Sequence, residues 1–407
     1  MQVEGASVRT GRAGLLVLCA LLLIGDLGWS LRERSVQELF KVHLLRFSQD
    51  ATLLNVLIGA MPALLSLSVG PLIGAWSDRT RTRYGRRIPF LLGTAVISTA
   101  GMLGMAFSHS LAGLAVSWTV FEMATIVGNP LFLALINDTV PRPILGRFFG
   151  LFRIVSLATG AGFFALFFRN DLVAIFQPLL AAITVVYLAC MLLVCWRVRE
   201  PAYGPAPPRA RWRLVQAGDE QWGRLFAAVA VGAIAVLPIN INGINACAQF
   251  GVDAGGFGGA VALTYAISIL LALPLGWLAD RFHPLRVGCV VLTLYALCML
   301  AAWRLVDGRT GFLVALIVHG VLSGCFLTGT VSLLPTLLPR ERFSQLAAVS
   351  ASMTALLVLV STLGFGALLE ATGRDYRLMY LAGAVSAGCG VLLWRSLLKR
   401  YLQIARV

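Results

Sequence analysis

Polar cover is what this sequence has least of. Charged residues fill 13% of its 407 positions and hydrophobic ones 58%, too little polar surface to coat a water-soluble fold, so lipid must serve as part of the solvent. Lysine occurs only at Lys41 and Lys399. The net charge of +15 sits in short arginine clusters between apolar runs, and no basic, aromatic-studded domain exists to hold a strand, so nucleic acid is not an expected partner. Metal-binding spacings are missing too. The eight cysteines fall inside apolar runs with no C-x-x-C pair or Cys/His grouping and read as small apolar fillers. No nucleophile stands with a paired histidine and acid, and no glycine loop for phosphates appears, so neither an enzyme nor a cofactor is expected.

What is present is hydrocarbon in lengths that cross a bilayer. Twelve spans are expected, at 13–31, 52–77, 88–108, 111–136, 146–168, 172–196, 223–248, 257–279, 286–304, 310–337, 344–369 and 378–396. The first follows Arg9 and Arg12 like a signal peptide, but no small-residue cleavage site ends it before Asp26, so it reads as a retained helix. Alternate connections carry 23 Lys and Arg on one side and 9 on the other, which predicts both termini in the cytoplasm, at the inner membrane if the source is bacterial. The segment 32–50 mixes charge signs; it either prolongs the first helix or lies along the interface.

The stretch 197–224 holds four prolines and six arginines and is expected to be an irregular cytoplasmic linker. It divides the chain into six-helix bundles at 1–196 and 225–407. The halves echo each other: "PLIGAWSDRTRTRYGRR" follows the second span and "PLGWLADRFHPLR" the eighth, aligning Gly74, Asp78 and Arg79 with Gly276, Asp280 and Arg281.

A six-plus-six chain with G-x-x-x-D-R-x-x-x-x-x-G-R-R between spans 2 and 3, and a degenerate copy between spans 8 and 9, resembles the major facilitator superfamily of transporters. "SDRTRTRYGRRIPF" and the "LGW" at 27–29 resemble its branch of sucrose carriers and other glycoside:cation symporters. The resemblance implies an all-α membrane protein of twelve transmembrane helices, in two pseudo-symmetric bundles that rock about a central site. It also assigns Gly74, Asp78, Arg79, Gly85, Arg86 and Arg87 to a cytoplasmic latch, with Asp280 and Arg281 as its repeat. Asp78 is then expected near the start of span 11 and Asp280 near the start of span 5, each facing the positive end of a helix. Sodium-coupled melibiose-type members carry acidic residues within the second helix, whereas this chain has none between Asp50 and Asp78. Protons are therefore the expected coupling ion.

Ionisable groups deep in a span are costly and are candidates by default. Asp26, Trp29 and Glu33 follow an i, i+3, i+7 pattern, with Arg32 and Arg34 beside them, and Glu122 and Asn129 share a stripe of span 4. Asp26, Arg32, Glu33, Arg34 and Glu122 are the coupling candidates. In span 7, Asn242, Asn245 and Gln249 repeat the i, i+3, i+7 spacing, with Asn240 extending the set, and three amides on one face suit a sugar's hydroxyls. Interhelical glue is the competing reading. With Trp29, Asn129 and His319 they form the substrate-binding candidates, and Trp118 is a further stacking residue. The expectation is a monomeric proton-coupled symporter of a sugar or glycoside. The alternatives are an exporter of amphipathic small molecules and a non-transporting membrane assembly or pigment-delivery factor.

Overall fold

In the computed structural model the described residues are 12–69, 80, 82–168, 171–200, 220–330, 332–338 and 343–404. Among them twelve helices are long and apolar enough to cross a membrane: α1 (Arg12–Leu44), α2 (Ala51–Ser68), α3 (Ile88–Ala106), α4 (Leu111–Thr139), α5 (Arg142–Phe167), α6 (Leu172–Arg197), α7 (Trp222–Ala246), α8 (Ala254–Phe282), α9 (Pro284–Leu305), α10 (Arg309–Thr330), α11 (Phe343–Ala371) and α12 (Leu378–Ile404). Their starts follow from capping chemistry. The Asp50 carboxylate accepts from the amides of Thr52 and Leu53 at 2.7 and 3.1 Å, Asp171 does the same for Val173 and Ala174, and the Ser110 hydroxyl accepts from Gly113.

The first helix settles the open question about 32–50. It runs unbroken to Leu44, thirteen residues past the expected end at 31. Val36, Leu39, Phe40, His43 and Leu44 recur at i, i+3, i+4, i+7, i+8, and all are buried. Phe40 stacks on Trp118 of α4 at 4.1 Å, and His43 on Phe176 of α6 at 3.9 Å. The mixed charges disguise a packed stripe.

Helix α2 contains a π turn at Val56–Ala60. The carbonyl of Leu57 within it accepts from the Trp118 indole at 2.7 Å, which satisfies a backbone group in the wider turn. Trp118 is fully buried, so it braces α2 and is not available to stack on a ligand.

Helices α1, α3, α4, α5 and α6 pack on one another, and so do α7 to α12. The halves meet mainly where α5 lies along α8 and α2 along α11. Their tightest contacts lie at one end. There the amides of Asn55 and Asn242 bond to each other at 3.1 and 3.3 Å, Glu370 accepts from the Ala51 amide at 2.5 Å, and Gly258 sits against Phe168. Toward the opposite end α2 and α11 part around a cavity of about 390 Å³ reached by Ser66, Ser350 and Thr354. Among the described residues the bonds that join the halves concentrate at the end of the 45–50 loop, and the cavity between α2 and α11 lies toward the end of 82–87.

A charged cavity between the halves

Between the two halves a cavity of about 220 Å³ is lined by Arg34 of α1, Arg153 of α5, Asn240 of α7, Tyr265 of α8 and His319 of α10. A neighbouring cavity of about 390 Å³ shares Arg34, Glu38, Asn240 and Tyr265 and adds Glu33. Five helices from both halves thus converge on one charged space.

Its polar groups are held from several sides. Arg34 donates from Nη1 to the Tyr265 hydroxyl at 3.2 Å, and its guanidinium carbon lies 5.3 Å from that ring's centroid. Lys41, 1% exposed, donates from Nζ to Glu38 Oε1 at 2.6 Å and to the carbonyl of Asn240 at 2.7 Å. This ties α1 to α7 by a buried charge pair, a contact whose loss on one side leaves an uncompensated charge. His319 bonds through Nε2 to Asn240 Oδ1 at 3.0 Å and through Nδ1 to the Tyr295 hydroxyl at 2.8 Å. Because Oδ1 only accepts, the ring carries its proton on Nε2 and Nδ1 accepts. That leaves the NH₂ of Asn240, an exposed residue, facing the cavity.

The expected coupling residues are drawn together only in part. Glu33 and Arg34 reach the cavity. Asp26, fully buried, accepts from Ser30 through Oδ1 at 3.0 Å, while Oδ2 has no partner. Arg32 does not join a carboxylate. Its guanidinium lies 4.1 Å from the Trp29 ring, 4.9 Å from Tyr187 and 5.2 Å from Phe121, and bonds Ser98 Oγ at 3.1 Å. Glu122 has Arg32 and Glu33 as its charged neighbours. Arg32 thus sits in an aromatic cage inside the N-terminal half, while Asp26, Glu33 and Arg34 are electrostatic neighbours of one another.

Most of the expected substrate residues are engaged by protein groups or lie outside the two cavities. Trp29 is 2% exposed and stacks on Phe132 at 5.6 Å. Asn242 is spent on Asn55 and on the carbonyl of Pro238. Gln249 donates to Asp375 at 2.9 Å and accepts from the Tyr376 amide at 2.8 Å, clasping the loop between α11 and α12. Asn245 reaches the Tyr376 hydroxyl, and Asn129 is exposed on α4 outside the lining of the two cavities. Of the set, Asn240 and His319 line the cavity. Amides in an apolar span find protein partners first, because an unpaired amide there is costly.

The arginine-rich turn is visible in its second half; Gly74, Asp78 and Arg79 lie outside the described residues. Gly85 has φ of +111°, a conformation that favours glycine. Arg86 reaches Asp138 of α4 at 2.8 Å and Arg87 reaches it at 3.6 Å. Glu200, at the far end of α6, accepts from the amides of Arg86, Arg87 and Ile88 at 2.9, 2.7 and 2.7 Å. Gly85, Arg86 and Arg87 therefore knit α3, α4 and α6 within one half. On α8, Arg281 lies over Trp277 at 5.1 Å. The side chain of Asp280 is outside what is described, but a Cβ at Gly276 would meet no described atom within 4 Å.

Sequence reasoning passed over Glu38, Lys41, Arg153, Tyr265 and Glu200. Arg153 carried a signal, being an arginine inside an apolar span. Glu38 and Lys41 would have emerged had the first helix been extended.

No curated protein matches the chain by sequence. A family model described as Major Facilitator Superfamily matches residues 225–403. Among solved structures, a bacterial homolog to the human lysosomal transporter Spinster, inward-facing and occupied, matches with a TM-score of 0.67 and 13% identity over 96% of this chain and 97% of that one. Its inward-facing, unoccupied form matches with a TM-score of 0.67 and 14% identity over 95% and 97%. The twelve-helix chain therefore has the major facilitator fold, and its residues 225–403 carry the sequence pattern of the Major Facilitator Superfamily.

Proposed function

We propose that this protein is a secondary active transporter that moves a small molecule by alternating access, acting as a monomer and coupled to protons. The observation that supports it most is an asymmetry among the described residues: the halves are bonded at one end, a cavity separates α2 from α11 toward the other, and a charged cavity lies between the halves. Glu33 lines the neighbouring cavity next to Arg34 without an ion pair within 4.0 Å among the described residues. A proton on Glu33 and a substrate charge on Arg34 are alternative ways of balancing the same site, which links the two movements. The arginine bias of the connections makes the end of 82–87 the cytoplasmic one. Latches at Asp78 and Asp280 would engage when the halves rock closed at that end, and among the described residues no atom lies within 4 Å of a Cβ built at Gly276.

The sugar reading loses its residue-level support, since Asn242 and Gln249 are engaged by protein groups. Flux decides the matter. Proteoliposomes under an imposed proton gradient are expected to accumulate at least one labelled compound from a panel of organic anions, neutral amphiphiles and disaccharides, and an uncoupler should collapse that accumulation. Flux in the reverse sense, with substrate-driven acidification in inverted vesicles, would establish an exporter. Absence of flux for every class would overturn transport in favour of an assembly role.

A further inference from the structure

Two guanidinium groups line one intramembrane cavity with no carboxylate within 4.0 Å of either among the described residues. Glu38 is already paired with Lys41 at 2.6 Å. Arg34 and Arg153 line one cavity and Glu33 its neighbour; the buried Asp26 is a further electrostatic neighbour of Arg34, but neither carboxylate comes within 4.0 Å of either guanidinium. Arg153 makes no hydrogen bond and no ion pair within 4.0 Å among the described residues, and its electrostatic neighbours are Arg34, Tyr265 and Glu33. Arg34 has its Nε buried without a partner. A guanidinium in the membrane interior costs several kcal/mol unless it is paired or hydrated, and Arg153, facing the cavity without a protein partner among the described residues, is placed to take one from outside the protein.

The rest of the wall describes that partner's body. Phe164 and Leu157 of α5, Phe257 of α8 and Leu316 of α10 line the same cavity. The Asn240 amide offers two further donors on the opposite wall.

We propose that the substrate is an organic anion: a carboxylate or phosphate-monoester head held between Arg34 and Arg153, on a compact apolar body lying against Phe164 and Phe257. This rests on the transporter reading and names its substrate class. Guanidinium forks match oxyanions bidentately, which a neutral hydroxyl cannot repeat.

Binding tests this apart from transport. The full chain in lipid nanodiscs is titrated with 3-phenylpropionate, 2-phenylethyl phosphate and neutral phenyl β-glucoside while its unfolding temperature is followed. At least one of the two anions should raise the unfolding temperature, and which of them does so identifies the head group; the glucoside should have no effect. Arg153→Gln should weaken the anion response by at least about 10-fold, the loss of one charge-assisted contact, and Arg153→Lys should keep part of it. If Arg153→Gln fails to fold, the wild-type contrast between anions and glucoside and the Arg153→Lys variant still decide. Stabilisation by the glucoside equal to that by the anions would overturn the assignment, as would undiminished anion binding to Arg153→Gln or no response to either anion. Anion binding without flux would instead remove the transport reading and leave the subsite standing.

Discussion

Leucine in place of Gly59 should part the two halves at their bonded end. Gly59 lies in the π turn of α2 against Thr362 of α11, and an added Cβ would fall 2.7 Å from the Thr362 Cβ and closer still to its methyl. Thr362 has no room to yield: it is 2% exposed, and its hydroxyl is bonded to the Val358 carbonyl at 2.7 Å. Relief must come from the helices. Overpacking of this kind costs about 1–3 kcal/mol, which moves the ratio of closed to parted molecules roughly 5- to 150-fold. Spin labels at Gln49 and Thr372, both exposed and on opposite halves, should report a longer distance in Gly59→Leu and a smaller change in Gly59→Ala. The labels require a background in which the eight native cysteines are replaced. Identical distance distributions in the variant and the parent would show that the α2–α11 seam does not govern closure.

Removing the Glu200 carboxylate should cost the most stability of any single change at the arginine-rich turn. Three consecutive amides at the start of α3 donate to it, and those amides have no partner within their own helix. With hydrogen bonds to a charged group, discounted for partial exposure, Glu200→Ala should lose about 2–4 kcal/mol, seen as a lowered unfolding temperature, and Glu200→Gln should lose less. Gly85→Ala meets two obstacles: its φ of +111°, and a Cβ driven into the Glu200 carboxylate. The second vanishes when Glu200 is alanine. The two alanine substitutions should therefore be less damaging together than the sum of their separate effects. Strict additivity would mean that Glu200 does not hold the turn.

Both experiments bear on elements that differ in how readable they were. The π turn carrying Gly59 leaves no mark in the sequence, because its wider winding depends on Trp118 arriving from α4 to bond the Leu57 carbonyl. Gly85 was marked by its place in G-x-x-x-D-R-x-x-x-x-x-G-R-R, yet nothing in that spacing names Glu200, which lies 115 residues later and meets the turn only when α6 returns beside α3. The same holds for the cavity. Arg34 was marked by its place beside the Asp26 and Glu33 stripe and His319 as a polar group in an apolar span, while nothing in the sequence singled out Tyr265, whose hydroxyl meets Arg34 only when α8 packs there.

Hydrophobicity in lengths of about one bilayer, repeated twelve times, determined that this chain would be a helical membrane protein, since lipid offers no hydrogen bonds to an unpaired backbone. The internal echo of Gly74, Asp78 and Arg79 by Gly276, Asp280 and Arg281 likewise announced two related halves. Which polar residues serve a ligand and which serve the protein was decided only by packing. Asn242 looked like a sugar contact and became half of an amide pair with Asn55, while Arg153, a lone cation in an apolar helix, was left facing an open cavity. A polar group's role depends on whether a partner from a distant helix comes within about 3 Å of it, and that distance is a property of the tertiary fold alone.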